Sequence, residues 1–181
     1  MINSGAVVKS SSKCMSWLNF FIVSLLGSFL IALFGKVRIF LPFTPIPIVL
    51  QMQLVFLLAI FFGPKKAAFA TLLFMIQAQI GFPVLPTSIG FFTIARGYYI
   101  GYFFAALIIG MLVHKQKRYT KIFMVTLLGN AIVYLCGFFV FAIFVGTRKA
   151  FLLGVLPFVL PDIFKNLVVI QVLKVYNRAK K

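Results

Sequence analysis

The chain has 181 residues, of which 63% are hydrophobic and only 10% charged, with a mean hydropathy of +1.13. So few polar side chains cannot cover a water-soluble globule, which places the chain in a membrane. Its formal charge of +17 comes from eighteen Lys and Arg against a single acid. These cations lie in short clusters between long apolar runs, so they read as topology signals rather than as a nucleic-acid surface.

Residues 1–14 are polar and basic and form an N-terminal segment ahead of an apolar run over 15–34, long enough to span and lacking the short core and cleavage site of a removed signal peptide. On this first helix Ser24, Ser28 and Ala32 are spaced by four, leaving one face with little side-chain bulk. Another helix can approach closely there, and the expectation is a partner subunit, with packing inside the chain as the alternative. The stretch 35–51, GKVRIFLPFTPIPIVLQ, carries Pro42, Pro45 and Pro47 and cannot continue a helix, so it is expected to be a shaped loop at a membrane face.

A second apolar run, 48–62, ends at GPKK; a third, 67–82, carries Gln77 and Gln79 and ends at Pro83. The loop PVLPTSIGFF (83–92) leads to Arg96 and GYYIGY, which opens a fourth run ending near Val113. After the basic turn 114–121 comes a fifth run, 122–145, containing Asn130 and Tyr134. The sixth covers about 151–176 with Pro157 and Pro161, and a basic tail occupies 177–181. The expected architecture is therefore an all-α integral membrane protein, with six transmembrane helices within residues 15–176.

Twelve of the eighteen cations then fall on one face: Lys9, Lys13, Lys65, Lys66, Lys115, Lys117, Arg118, Lys121, Lys174, Arg178, Lys180 and Lys181. Lys36, Arg38, Arg96, Arg148 and Lys149 fall on the other. The positive-inside rule makes the richer face, and with it both termini, cytoplasmic. The proline loop, the loop before Arg96 and the start of the sixth span gather on the outer side, where irregular backbone implies a watery cavity.

The start of that sixth span, LPFVLPDIFKN (156–166), holds Asp162, the only side-chain carboxylate in the chain. A charge in a spanning segment costs about 2.5–3.5 kcal/mol on insertion scales, so it usually faces a cavity, a partner charge or a ligand. Lys165, three residues on, shares its helical face and supplies the counter-charge. The pair reads as a transport or binding site, with a structural ion pair between helices as the alternative. Pro161 is expected to break or kink the helix just before the acid.

Much chemistry is excluded. There is no second carboxylate for general acid/base work or magnesium, no His/Cys cluster with zinc spacing, and no phosphate-binding G-x-x-x-x-G-K-[ST]. His114 lies in a basic turn across the membrane from Asp162, and Cys14 and Cys136 form no framework. No catalytic residue, metal ligand or cofactor is expected.

Several blocks resemble a known family. LPFTPIPIVLQ (41–51) is similar to P-L-P-x-x-P-V-P-I-T-L-Q, FFGPKKAAF (61–69) to L-L-G-P-x-x-G-A, and IGFPV (80–84) to I-G-L-P-V. LGNAIVYLCG (128–137) resembles G-x-x-x-x-Y-x-x-G, and GVLPFVLPDIFK (154–165) resembles G-x-x-P-F-x-x-x-D-x-x-K. These are blocks of BioY, the biotin-binding S component of energy-coupling-factor (ECF) vitamin transporters. The family's G-P-T-G-G-Y stands here as IARGYYIGY, and Val49 stands where the family usually has Thr.

The resemblance implies a subunit of the cell membrane that captures biotin from outside and docks on a transmembrane T subunit carrying two ATPases, which use the ATP. Asp162 and Lys165 match the family's D-x-x-K and are implied in the biotin pocket. Arg96 is a candidate for the ligand's head group or its valerate carboxylate. Tyr134, Tyr98 and Gln51 are candidate lining residues, and Tyr98 and Tyr99 can equally be interfacial aromatics. Two other readings compete: a self-sufficient transporter coupled to ions through Asp162, which would take up biotin without any ATPase, and a membrane-embedded enzyme, disfavoured by the lack of a general-base partner.

Overall fold

A computed structural model of the chain describes residues 4–39, 42, 46–80, 95–114, 116 and 118–180, with side chains from Met15 onward. Much of the proline loop and nearly all of the loop before Arg96 lie outside the described residues. The elements in order are α1 (Ser4–Phe34), β1 (Arg38–Ile39), β2 (Ile48–Val49), α2 (Gln51–Phe62), α3 (Pro64–Gln79), α4 (Arg96–Val113), α5 (Tyr119–Val145), α6 (Thr147–Gly154) and α7 (Leu156–Ala179). The two strands pair antiparallel, Arg38 with Val49 and Ile39 with Ile48. The proline stretch thus closes back on itself as a short hairpin, a feature that its prolines alone did not specify.

Among the described residues four spans are long and apolar enough to cross a membrane: Met15–Phe34, Arg96–Val113, Tyr119–Val145 and Thr147–Ala179. α2 and α3 have 12 and 16 residues, about 18 and 24 Å at 1.5 Å per residue, so the expectation of six spans rests on these two shorter helices crossing as well. The polar segment before Met15 is helical from Ser4 on and continuous with the first span. The sixth run is divided differently from its expected form. α7 passes through Pro161 without interruption, and the break falls earlier, at Val155 between α6 and α7.

The single-residue turn between α2 and α3 depends on Gly63, whose φ of 83° suits glycine and whose N–H closes on the Ala59 carbonyl at 3.1 Å. Pro64 then opens α3 at a position that needs no N–H. α4 runs close to its neighbours because it is notched: a methyl at Gly101 would sit 2.7 Å from Val133 Cα, and one at Gly110 would sit 2.5 Å from Pro64 N. Such small residues let backbones approach without a hydrophobic drive between helices. Phe56, Phe74, Ile109, Val133, Phe141 and Val169 fill the space inside, while Leu26, Leu33, Leu135, Phe139, Ile143 and Phe164 point outward. Apolar side chains outside and polar ones inside are what a lipid environment requires.

The small-residue face of α1 is packed within the chain, which corrects the expectation of a partner interface. Ser24 and Ser28 are fully buried and Ala32 nearly so. The Ser24 hydroxyl donates to the Lys66 carbonyl at 3.2 Å, Gln77 Nε2 donates to Ser28 Oγ at 3.0 Å, and Gly27 faces Ala70. α3 occupies the close approach that the spacing allowed. Ser28→Leu is therefore expected to destabilise the subunit itself by about 1–3 kcal/mol through overpacking, measured as a lower thermal midpoint of the purified protein. A variant melting like wild type would separate α1 from α3 at this level.

Candidate functional site

Asp162 sits on the second turn of α7, buried to within 3% of full enclosure. Four residues C-terminal to it, on the same face, is Asn166; three residues on is Lys165. Lys165 forms an ion pair with Asp162 Oδ1, and the Tyr134 hydroxyl on α5 donates to Oδ2. Lys165 Nζ also donates to the Val49 carbonyl on β2 at 3.0 Å. One carboxylate thereby ties α7, α5 and the hairpin together. The ammonium engages Oδ1 directly, and a carboxylate oxygen with two lone pairs can still accept a further donor.

The other expected residues are placed elsewhere. Tyr98 lies under the α6–α7 break: its hydroxyl donates to the Gly154 carbonyl at 2.7 Å, satisfying an orphan acceptor at the end of α6. Its ring lies against Gly137, where no side chain fits. Gln51 is fully buried and donates to the Ile31 carbonyl at 3.1 Å, joining the end of α1 to the start of α2. Arg96 opens α4 with its guanidinium 5.4 Å from the Phe144 ring centroid near the end of α5, a cation–π contact. Of the expected set, then, Asp162, Lys165 and Tyr134 are brought together. Tyr98 and Gln51 hold the backbone around them, and Arg96 sits at the helix ends.

Three buried amides went unread as site residues in the sequence. Asn166 is fully buried and Gln53 nearly so, and among the described residues neither finds a hydrogen-bond partner for its side-chain oxygen or nitrogen; Asn130 is nearly buried, its Oδ1 likewise without a partner among them. Asn166 is one turn beyond Asp162, and Asn130 one turn before Tyr134. The available signal was that spacing of four from the acid and its phenol partner. A buried amide without partners costs about 1–3 kcal/mol, and a polar ligand would relieve that cost. Among the described residues no group of three metal-ligating side chains occurs.

The BioY family matches residues 9–181. A probable biotin transporter BioY of Pyrococcus horikoshii is 35% identical over 149 residues, covering 79% of this chain and 88% of that protein. The biotin transporter BioY of Thermotoga maritima is 31% identical over 133 residues, covering 71% of this chain and 79% of its own length. The crystal structure of the S-component for biotin from an ECF-type ABC transporter superposes with a TM-score of 0.79 at 22% identity, over 90% of this chain and 93% of the other. That likeness establishes the fold.

Replacing the unpartnered Asn166 by Leu, of similar volume, is expected to raise the thermal midpoint of the ligand-free protein by the equivalent of about 1–3 kcal/mol. A lowered midpoint would show that the amide is satisfied in the resting protein.

Proposed function

The chain belongs to the BioY family, and from that premise we propose that it is a membrane-embedded subunit that binds biotin from outside the cell and delivers it inward. It lies in the plasma membrane as a six-pass protein with both termini cytoplasmic, docked on an ECF T subunit that carries two ATPases. The chain has no phosphate-binding loop of its own, in keeping with ATP being used by those partners.

The observation that carries the binding site is the buried Asp162–Lys165 pair with Tyr134 on the acid's second oxygen. Biotin's ureido ring presents two N–H donors and a carbonyl acceptor. The Oδ1 atom of Asp162 accepts, and the Lys165 ammonium donates. The thiophane ring and valeryl chain suit the apolar side chains of α2, α4 and α7. Tyr98 and Gln51 act on this site by fixing the α6–α7 break and the start of α2, and Arg96 meets an acceptor group of the ligand nearer the outer face.

Asp162→Asn is expected to insert and fold but to lose binding by about 1.5–3 kcal/mol or more, since a charge-assisted acceptor disappears and Lys165 loses its counter-charge. Titration calorimetry with unchanged affinity would return the pair to a structural role. Arg96 is tested by comparing biotin with its methyl ester. If the guanidinium pairs with the valerate, wild type prefers the acid and Arg96→Gln loses that preference; if it meets the ureido oxygen, the variant weakens both ligands alike. Equal binding of both ligands by the variant and wild type removes Arg96 from the site.

A further inference from the structure

At the end of the bundle opposite the hairpin, a cavity of about 470 Å³ opens between α1, the α2–α3 turn and the end of α4. Its walls divide by chemistry. Phe20, Phe62 and Met111 are apolar, whereas Lys65, Lys66 and His114 are basic, with Pro64 and Gly110 at close backbone contact between them. A space of this size is within the range that holds small ligands.

The basic side of the cavity is pre-positioned. The Lys66 carbonyl accepts from Ser24, and its ammonium donates to Asn19 Oδ1 at 2.9 Å, so α1 holds this residue at both ends while leaving ammonium N–H groups available. α3 begins here at Pro64 without a side-chain cap, so the positive end of the helix lies beside Lys65 and Lys66 at this cavity. No carboxylate offsets these charges, because the chain's only acidic side chain, Asp162, is already paired with Lys165.

The depth of the cavity is marked by aromatic side chains. Trp17 lies 6.2 Å from Phe20 between ring centroids, and Phe20 in turn lies 5.3 Å from Phe69. At the same end of the bundle Phe61 stacks edge-on against Tyr176, and Lys174 covers the Tyr119 ring. Trp and Tyr collect at the level of lipid headgroups. A cavity that is basic on one wall, apolar on the other and set at headgroup depth matches one ligand chemistry: a phosphate monoanion or dianion attached to a hydrocarbon chain.

We propose that this cavity binds the headgroup of an anionic phospholipid, with the phosphate held by Lys65, Lys66 and the first turn of α3 and the upper acyl chain against Phe20, Phe62 and Met111. The lipid acts there as a wedge between α1 and the α2–α3 turn. It rests on the membrane placement and not on the assignment of the transported ligand.

The test uses Trp17, the only tryptophan of the chain, as a reporter in phosphatidylcholine vesicles containing brominated phosphatidylglycerol or brominated phosphatidylcholine. Quenching is expected to give an association constant on the order of tenfold higher for the anionic lipid. Lys65→Gln/Lys66→Gln should bring the two lipids level, and Lys65→Arg/Lys66→Arg should keep the preference. Lys65→Gln alone, at an exposed position, should lower it several-fold even if the double variant fails to fold. A matched change of charge at the same end, Arg178→Gln/Lys180→Gln, should leave it intact. Equal loss in that control would show diffuse surface attraction and overturn the site, as would a preference that survives Lys65→Gln/Lys66→Gln. Inorganic phosphate titrated into the detergent-solubilised protein should show no saturable binding; saturable binding lost in the double variant would make this a site for soluble phosphate and overturn the lipid assignment.

Discussion

The structure depends on how one carboxylate is partnered inside an apolar bundle. Removing a carboxylate and an ammonium from water costs several kcal/mol per ion, and their attraction offsets this only when further hydrogen bonds complete the site. Asp162 meets that condition through two other elements, since Tyr134 comes from α5 and Lys165 carries a second bond to the Val49 carbonyl. The ion pair is therefore also the junction of α7, α5 and the hairpin. With one N–H on the Val49 carbonyl and another directed at Asp162, the Lys165 ammonium, which has three, keeps one donor for a further acceptor.

The scaffold around that junction is made by residues with almost no side chain. Gly101 brings α4 within backbone contact of α5 at Val133, and Gly137 clears space for the Tyr98 ring. With the ring seated there, its hydroxyl reaches the end of α6 at Gly154. The α6–α7 break is thus stabilised from α4, across α5, by a single phenol. This placement explains why the irregular point falls at Val155 rather than at Pro161: the freed carbonyl at the end of α6 has a donor waiting. At Pro161, on the first turns of α7, the helix loses one N–H donor and continues.

Much of the fold was legible because lipid-facing helices announce themselves as apolar runs bounded by cations, glycine or proline. The fourth and fifth runs end where α4 and α5 end, at Val113 and Val145, since basic or glycine-containing turns follow directly. The hairpin was not legible, because prolines exclude helix without specifying pairing. The face of Ser24, Ser28 and Ala32 was read correctly as a place of close approach and assigned to the wrong neighbour. Spacing by four describes the shape of one helix surface and carries no information about which helix fills it; Gln77 and Lys66 on α3 decide that. In the site, Asp162 and Lys165 stood out by rarity, and Tyr134 through the family's block. Asn166 and Gln53 did not, because amides are common enough in spanning helices that only their lack of partners, a property of three dimensions, sets them apart.

The division of charge gives the molecule two unlike ends. Near the hairpin the single acid neutralises Lys165 locally, and both are buried or nearly so, whereas Lys36 and Arg38 beside them are exposed. At the far end Lys65, Lys66, Lys174 and Arg178 have no acidic side chain to balance them within the chain, so their counter-charges come from the surroundings. Anionic headgroups are the nearest fixed source. With no other acidic side chain in the chain, nothing internal competes with Asp162 for Lys165, and the ligand pair is left uncontested.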